Sequence, residues 1–371
     1  MTRSPQPPES PAATDAATAG VEAICEVRGA AGVIVLNRPK ALNAVTLGMV
    51  RAIRKALDAW AADPRVTRVV IAGTGEKAFS AGGDIRQLYE LGKAGRREEA
   101  LVFWREEYAL NALIQGYRKP YVALIDGIVM GGGVGLSLHG SHRVAGERYL
   151  FAMPEVAIGF FPDVGATYAL PRLPGETGVW LALTGARVKA ADALALGLAT
   201  HAAPSSAFPA IMDALVAGEP VDAALTAHAR PPGEAPVAAL RAEIDQCFVG
   251  LSVAEILERL DTHAAAGSEF ASDAAAIIRD RSPTSLSVAL EQMRRGKDMD
   301  FAEAMRTEFR IVSRMVDTPD FYEGVRAAVI DKDQSPRWSP ASLSHATAEK
   351  AAAYFAPLPP DQELDLPEQG A

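Results

Sequence analysis

Cysteine, surplus basic charge and long apolar runs are all scarce in this sequence. Two cysteines, Cys25 and Cys247, occur in 371 residues and neither lies in a motif, so we expect no disulfide framework and a reducing cytoplasm as the location. The 46 acidic residues exceed the 37 lysines and arginines, and the net charge of -9 argues against nucleic acid as a partner. The most apolar stretch, 121–140, contains Asp126 and several glycines, so we expect no membrane span.

Several motifs of cofactor and nucleophile chemistry are also missing. The sequence has no G-x-G-x-x-G dinucleotide motif followed by an acid, no G-x-x-x-x-G-K-[ST] phosphate loop and no G-x-S-x-G element of a serine hydrolase. His139 and His142 are spaced like a pair of metal ligands, but no third ligand is nearby, so we interpret both as structural. We therefore expect neither a metal nor a cofactor.

Strand-like and helix-like segments alternate up to about residue 205, and helix-like segments dominate afterwards. Short β-branched runs such as 68–72 (RVVIA) indicate buried parallel strands joined by crossover helices, which predicts an α/β fold. The first residues are rich in Pro, Ala, Ser and Thr, and Glu9 and Asp15 argue against a transit peptide. We predict four parts: a disordered tail at 1–20, an α/β core at 21–205, a mainly helical region at 206–356 and a flexible tail at 357–371.

Two glycine clusters, 80–84 (SAGGD) and 130–135 (MGGGVG), each follow a predicted strand and open a predicted helix. Helix openings present unpaired backbone N–H groups and a partial positive charge, which suit an anion. Taken singly, either cluster is more simply explained by a tight turn or close packing. Two such openings about fifty residues apart favour a paired site, since an oxyanion formed in acyl chemistry needs more than one N–H donor.

Two carboxylates follow the second glycine cluster, Glu155 and Asp163. Their neighbours are apolar, and an apolar setting raises the pKa of a carboxyl group and suits it to proton transfer. The structural alternatives stay open, because Glu155 could be a surface acid and Asp163 could cap the helix that follows it. Glu106 and Glu107 occur on a predicted helix, where a solvated charged face is the default interpretation.

Together these segments resemble the crotonase, or enoyl-CoA hydratase/isomerase, superfamily, over roughly residues 21–355. Within it, the 3-hydroxyisobutyryl-CoA hydrolase subgroup is the most similar. The motifs that carry the resemblance are 37–44 (NRPKALNA), 77–84 (KAFSAGGD), 104–108 (WREEY), 127–137, 151–155 (FAMPE), 159–165 (GFFPDVG) and 331–338 (DKDQSPRW).

The resemblance implies a fold, a crotonase-like spiral of ββα turns with a helical C-terminal region, and it implies the roles of particular residues. The N–H groups of Gly83 and Gly132 would hold the thioester oxyanion, and Glu155 would be the catalytic carboxylate. Asp163 would share in catalysis and, with Glu107, would line the acyl site. The implied CoA-binding residues are Lys40, Ala41, Ala78, Ala81, Gly82, Gly83 and Asp84.

One departure from the family pattern separates the candidate reactions. Hydratases hold water with two glutamates; one matches Glu155, whereas the other falls at Gly135. We therefore expect hydrolysis of a short β-hydroxyacyl-CoA, foremost 3-hydroxyisobutyryl-CoA of valine catabolism, to the free acid and CoA. An enoyl-CoA hydratase or isomerase and a non-catalytic acyl-CoA-binding protein are the alternatives. The partner we expect is a small acyl-CoA, and both a monomer and a homo-oligomer stay open.

Overall fold

The structure, a computed structural model, describes residues 20–366 of the chain. The predicted N-terminal tail, apart from Gly20, and residues 367–371 lie outside that range. Its strands are β1 (Ala23–Arg28), β2 (Ala31–Leu36), β3 (Arg68–Gly73), β4 (Ala78–Ser80), β5 (Tyr121–Ile125), β6 (Ile128–Met130), β7 (His142–Ala145), β8 (Leu150–Ala152), β9 (Val188–Lys189) and β10 (His201–Ala202).

Helices connect these strands and make up most of the chain after β10. In the first half they are α1 (Leu47–Ala62), α2 (Ile85–Lys93), α3 (Arg97–Gln115), α4 (Gly132–Gly135), α5 (Ala166–Ala169), α6 (Thr177–Thr184) and α7 (Ala190–Leu196). After β10 they are α8 (Phe208–Ala217), α9 (Val221–His228), α10 (Val237–Phe248), α11 (Val253–Ala265), α12 (Glu269–Arg279), α13 (Pro283–Gly296), α14 (Phe301–Met315), α15 (Pro319–Val325) and α16 (Ala348–Ala353).

The strands form two sheets that the chain visits in turn. One sheet has the order β1-β2-β3-β5-β7-β10 and the other has the order β4-β6-β8-β9. The pairs β3–β4, β5–β6 and β7–β8 each place one strand in the first sheet and the next strand in the second. Within the first sheet β3 pairs in parallel with β5 and β5 with β7, and within the second sheet β4 pairs in parallel with β6 and β6 with β8. This alternation is the predicted spiral, and it confirms the predicted α/β class.

The helix predicted after Thr46 shows how sequence pattern becomes structure here. The Thr46 hydroxyl accepts a hydrogen bond from the Met49 N–H at 3.2 Å and so caps α1. Met49, Ile53 and Leu57 recur at helical spacing, and all three side chains are buried. Burying this face holds α1 against the first sheet as the crossover between β2 and β3.

Apolar side chains cover both faces of the six-stranded sheet. One face belongs to the main core, and the other packs under α8 and α9 through residues such as Ile211, Leu215 and Leu225. The remaining C-terminal helices join the main core, with α14 lying against α3 and α13 against α6. Within residues 20–366 no helix is both long and apolar enough to cross a membrane.

The C-terminal segment after residue 357 packs on the helices as far as it is described. Leu364 is buried, and the Glu363 carboxylate accepts a hydrogen bond from Arg310 at 2.9 Å. The Arg105 guanidinium also donates to the main-chain carbonyl of Glu363 at 2.6 Å. The part of the predicted flexible tail between 358 and 366 is therefore anchored to α3 and α14.

Candidate active site

The two glycine clusters meet at one point of the fold. Gly82 ends the loop after β4 with a φ of 112°, and Gly131 opens α4 with a φ of 45°. Residues with a side chain rarely adopt these backbone angles, so glycine is required at both positions. A Cβ on Gly82 would lie 3.4 Å from the Met130 carbonyl oxygen and 3.7 Å from the Gly132 nitrogen. The loops therefore touch backbone to backbone.

The N–H groups of Gly83 and Gly132 lie side by side at this contact. The Gly82 carbonyl accepts from Val45 at 2.8 Å and the Asp84 N–H donates to Val45 at 2.9 Å. Because these bonds occupy one side of the extended chain, the Gly83 N–H between them faces the other side. A Cβ on Gly132 would lie 3.2 Å from the Gly83 nitrogen, and within residues 20–366 neither N–H has an acceptor.

Glu155 borders this pair of N–H groups. It begins a 3-10 helix (Glu155–Ile158) that directly follows β8, and its side chain is buried. Its Oε1 atom lies 3.2 Å from the position of a Cβ on Gly131, and its Oε2 atom has no hydrogen-bond partner within residues 20–366. The surface-acid interpretation of Glu155 is therefore wrong.

Glu107 approaches the same point from α3. It is 2% exposed, and its Oε1 atom lies 2.5 Å from the position of a Cβ on Gly132. The preceding residue behaves as the default interpretation predicts, since Glu106 pairs with Arg51 at 2.7 Å. One helix therefore carries a solvated acid and a buried acid next to each other, and for Glu107 the default interpretation is wrong.

Asp163 faces the interior and does not cap the helix that follows it. Its Oδ2 atom accepts a hydrogen bond of 2.8 Å from the Tyr108 hydroxyl. The N–H groups at the start of α5 are instead taken by Glu308 of α14, which accepts from Gly165 at 2.8 Å and Thr167 at 2.9 Å. Because Glu308 supplies the cap, the carboxylate of Asp163 is free for other contacts.

The turn that carries Asp163 is held in an unusual conformation by the helical region. Val164 has a φ of 54° and Gly165 a φ of 91°, and a positive φ is strained for a β-branched residue. Besides Glu308, Gln292 of α13 donates to the Pro162 carbonyl at 2.5 Å and so fixes the start of the turn. The C-terminal helices therefore hold the turn that carries Asp163 in place, although the first half of the chain supplies the N–H groups of Gly83 and Gly132.

Four buried carboxyl groups thus share one region, and within the described residues none of them forms a salt bridge. Burial, followed by repulsion from Asp163, raises the pKa of Glu107 and of Glu155. Burial raises the pKa of Asp163 to about 7, although the hydrogen bond from Tyr108 opposes the rise. Burial and Asp163 raise the pKa of Glu308 to about 8. Groups that titrate near neutral pH can accept and return protons during a reaction.

The residues that the resemblance assigns to CoA lie together along one edge of this site. These residues form two segments, Lys40–Ala41 and Ala78–Asp84. The Ala81 N–H donates to the Leu42 carbonyl at 2.9 Å and so joins the two segments. Asn43 fastens the same two segments, because its Nδ2 donates to the Ala78 carbonyl at 3.0 Å. The Asp84 carboxylate pairs with Arg38 at 3.1 Å and accepts the Gln87 N–H at the start of α2.

The two histidines considered as metal ligands are tied to the protein instead. His139 Nε2 lies 2.7 Å from the Val164 carbonyl oxygen, and burial lowers the pKa of His139 to about 4. His142 Nε2 contacts Asp222. Elsewhere, between α10 and α11, ligating atoms of Glu243, Cys247 and His263 lie within 4.8 Å of one another. Those helices carry none of the residues predicted for the site.

Sequence reasoning missed Glu308, Gln292 and Asn111, which all contribute to this region. Each is completely buried and lies on the apolar face of its helix. The sequence does contain one indication, because a polar residue three or four places from large apolar residues on a helix points towards the core. Polar residues in amphipathic helices are common enough that this signal alone does not single these three out.

Known proteins share both sequence and fold with this chain. The family profile described as enoyl-CoA hydratase/isomerase matches residues 31–355. Curated proteins from Xenopus tropicalis and Homo sapiens, both named 3-hydroxyisobutyryl-CoA hydrolase, mitochondrial, are 46% and 45% identical to it. The matches span 91% and 93% of this chain and 89% and 90% of theirs. The mitochondrial label belongs to those relatives and does not support the expected cytoplasmic location.

Solved structures agree on the fold. A carnitinyl-CoA dehydratase from Mycobacterium thermoresistibile superposes with a TM-score of 0.89 at 42% identity, over 94% of this chain and 100% of its own. An enoyl-CoA hydratase from Rhodobacter sphaeroides superposes with a TM-score of 0.86, also at 42% identity, over 93% of this chain and 100% of its own.

Proposed function

The chain belongs to the enoyl-CoA hydratase/isomerase family, as its glycine motifs predicted, and from this we propose that it hydrolyses the thioester of a short β-hydroxyacyl-CoA. The substrate that we propose is 3-hydroxyisobutyryl-CoA of valine catabolism, which agrees with the names of the relatives at 45–46% identity. The observation that carries the proposal is the position of the buried Glu155 carboxylate, beside the paired N–H groups of Gly83 and Gly132.

The paired N–H groups would stabilise the charge that develops on the thioester oxygen. When a nucleophile attacks the carbonyl carbon, the oxygen becomes an oxyanion, and fixed donors at hydrogen-bonding distance stabilise that state more than the substrate. The Gly83 and Gly132 N–H groups suit this role because they are close together and have no protein acceptor within the described residues. Each such donor contributes roughly 10²–10³ in rate.

Glu155 would bring about the attack on the thioester carbonyl carbon, either as a general base or as the nucleophile. As a general base it takes a proton from water, and the hydroxide forms the new C–O bond while the C–S bond breaks and CoA leaves as the thiolate. As a nucleophile its carboxylate attacks directly, CoA leaves, and water then hydrolyses the mixed anhydride. In both routes the proton taken from water is passed to the CoA thiolate, so the products are the free acid and CoA and Glu155 is again a carboxylate. Both routes need a carboxylate at the carbonyl carbon.

Asp163 and Glu107 would act on the acyl part of the substrate. Asp163 would hold the substrate hydroxyl or transfer a proton, since burial raises its pKa to about 7 and its carboxylate shares the buried region with Glu155. Glu107 lies against Gly132 and would line the acyl site. The segments at Lys40–Ala41 and Ala78–Asp84 would hold the CoA moiety, and the reaction as proposed uses neither a metal nor a cofactor.

Hydration of an enoyl-CoA is the main alternative, and Gly135 argues against it. A hydratase site needs a second carboxylate at this position, and glycine has none to offer. A Cβ at Gly135 would lie 2.7 Å from the Nδ2 atom of Asn111 and 2.9 Å from the Cβ of Val164, so a larger residue would require these neighbours to shift. A non-catalytic acyl-CoA-binding protein would have no use for Glu155 and Asp163 buried together.

A thiol-release screen distinguishes the three alternatives. The purified protein is incubated with 3-hydroxyisobutyryl-CoA, isobutyryl-CoA and crotonyl-CoA, while free thiol and the enoyl absorbance are followed. Hydrolysis predicts free CoA from the hydroxyacyl substrate. Loss of enoyl absorbance without thiol indicates a hydratase, and binding without either change indicates a binding protein.

We propose a reducing compartment for the enzyme, with the cytoplasm as the first site to examine. Cys25 and Cys247 are both free thiols, and burial raises the pKa of each to about 11, which keeps them protonated. Fractionation of cells that produce the full chain tests the location, and a mitochondrial location like that of the named relatives would refute the cytoplasmic one.

A further inference from the structure

Asn111 is a completely buried amide that the reaction described above does not use. It lies on α3 one helical turn after Glu107, so the two side chains occupy the same face of the helix. Within residues 20–366 neither Nδ2 nor Oδ1 of Asn111 has a hydrogen-bond partner, and Oε1 of Glu107 has none either. Two adjacent buried side chains therefore present unpaired polar atoms.

A second buried asparagine shows what a purely structural role requires. Asn43 is also completely buried, and its Nδ2 donates to the carbonyls of Thr74 and Ala78 at 2.9 and 3.0 Å. Its Oδ1 accepts the Arg38 N–H at 2.8 Å. A buried amide that only stabilises the fold is satisfied in this way, because an unpaired polar group in the interior is destabilising. Asn111 lacks every one of these contacts.

The amide of Asn111 lies against α4, the helix that begins with the Gly132 donor. A Cβ on Gly135 would lie 2.7 Å from Asn111 Nδ2 and 3.0 Å from Oδ1, so a side chain at 135 would displace the amide. The same Cβ would lie 2.9 Å from the Cβ of Val164, the neighbour of Asp163. Asn111 therefore lies between α4, which begins with Gly132, and the turn that carries Asp163.

We propose that Asn111, together with Glu107, binds the hydroxyl group of the acyl chain and so selects hydroxylated over plain acyl thioesters. The amide can donate to the hydroxyl oxygen or accept its proton, and Glu107 offers a second polar atom on the adjacent turn. This assignment rests on the proposed function, and it leaves Asp163 with the proton-transfer role. A site built to pair a substrate hydroxyl discriminates against the analogue without it, since the protein groups are then left unpaired.

The matched substrates 3-hydroxyisobutyryl-CoA and isobutyryl-CoA differ only in this hydroxyl and test the assignment directly. Thiol release from each is measured for the unmodified protein, for Asn111→Leu, which keeps the shape of the side chain, and for Glu106→Gln as the control on the same helix. The unmodified protein and the control should prefer the hydroxylated substrate. In Asn111→Leu, kcat/KM for that substrate should fall by roughly 10- to 100-fold while the value for isobutyryl-CoA stays within about threefold.

Equal losses on both substrates, or no loss on either, would overturn the assignment, because an amide that holds only a water molecule serves both substrates alike. If circular dichroism shows that Asn111→Leu is unfolded, Asn111→Ser is judged by the same criterion. If the unmodified protein releases no thiol, the proposed function is wrong. The hydroxyl site is then tested by calorimetric affinities for the two thioesters. Equal affinities in the unmodified protein would refute the hydroxyl site independently of turnover.

Discussion

The hydroxyl of Tyr108 donates a hydrogen bond of 2.8 Å to the Oδ2 atom of Asp163. Both groups are buried, so this bond is a principal stabiliser of the ionised carboxylate in a region that otherwise favours the neutral form. It links α3, which also carries Glu107 and Asn111, to the turn held by Glu308.

Removing this hydroxyl should move the pH dependence of the reaction. In Tyr108→Phe the ionised form of Asp163 loses a donor, so its pKa rises above the value of about 7. The limb of the kcat/KM profile that Asp163 controls should shift to higher pH. Tyr117→Phe is the matched control, because Tyr117 donates to the Leu57 carbonyl at 2.8 Å, away from the site. A profile that is unchanged in Tyr108→Phe would remove Asp163 from the proton transfers.

A methyl group at Gly132 should slow turnover strongly with little effect on the fold. In Gly132→Ala the new Cβ would lie 2.5 Å from Glu107 Oε1 and 3.2 Å from the Gly83 nitrogen, where the two donors meet. We expect kcat to fall by about 10²–10³-fold, the effect of losing one oxyanion donor. Gly48→Ala on α1, where the nearest atom would be 3.6 Å away, should keep full activity. Equal activity in both variants would contradict the oxyanion assignment.

Glu308 should make the stability of the fold depend on pH. Its folded pKa is about 8, whereas an unfolded glutamate titrates near about 4.3, so between these values the folded protein binds more protons than the unfolded chain. The free energy of unfolding therefore falls as the pH rises through this window, and the contribution is complete only below the unfolded pKa. In Glu308→Gln the fall should become less steep by up to about 1.4 kcal/mol per pH unit.

Urea unfolding between pH 5 and 8, taken as roughly the interval between these two pKa values, measures this slope for both proteins. Glu303→Gln, an exposed position on the same helix, is the control and should leave the slope unchanged. A slope that is the same in Glu308→Gln as in the unmodified protein would show that Glu308 is ionised throughout this range.

The sequence was sufficient to predict the two glycine loops that meet and the parallel strands around them. Gly82–Gly83 and Gly131–Gly132 could be found because each pair follows a short apolar run and needs a backbone that only glycine adopts readily. Both requirements are local. The alternation of strands between two sheets was not visible in these runs; it was implied by the resemblance to the crotonase superfamily.

The contributions of Asn111, Gln292 and Glu308 could not be predicted, because they depend on how distant helices pack. Glu308 caps a turn more than 140 residues away in sequence, and local pattern favoured Asp163 for that role. When another helix supplies the cap, the sequence around the turn contains no pattern that indicates it. The burial of Glu107 beside the half-exposed Glu106 is a similar case, since neighbouring residues on a helix point in different directions and only packing decides which is inside.

Replacing the Glu155 carboxylate with an amide should abolish turnover but preserve binding. Glu155→Gln keeps the size of the side chain and removes both the base and the nucleophile, so kcat should fall by at least roughly 10²–10⁴-fold. The affinity for CoA thioesters, measured by calorimetry, should stay within about threefold, because the proposed CoA contacts lie on other segments. Unchanged turnover in this variant would exclude Glu155 from the chemistry.

The release of free CoA from 3-hydroxyisobutyryl-CoA by the unmodified protein, with crotonyl-CoA followed in parallel, tests the proposed hydrolysis most directly. The arrangement of Glu155, Gly83 and Gly132, with glycine at 135, predicts one free thiol for each hydroxyacyl thioester consumed and no loss of the enoyl absorbance of crotonyl-CoA. Loss of that absorbance with no thiol released from either substrate would contradict it.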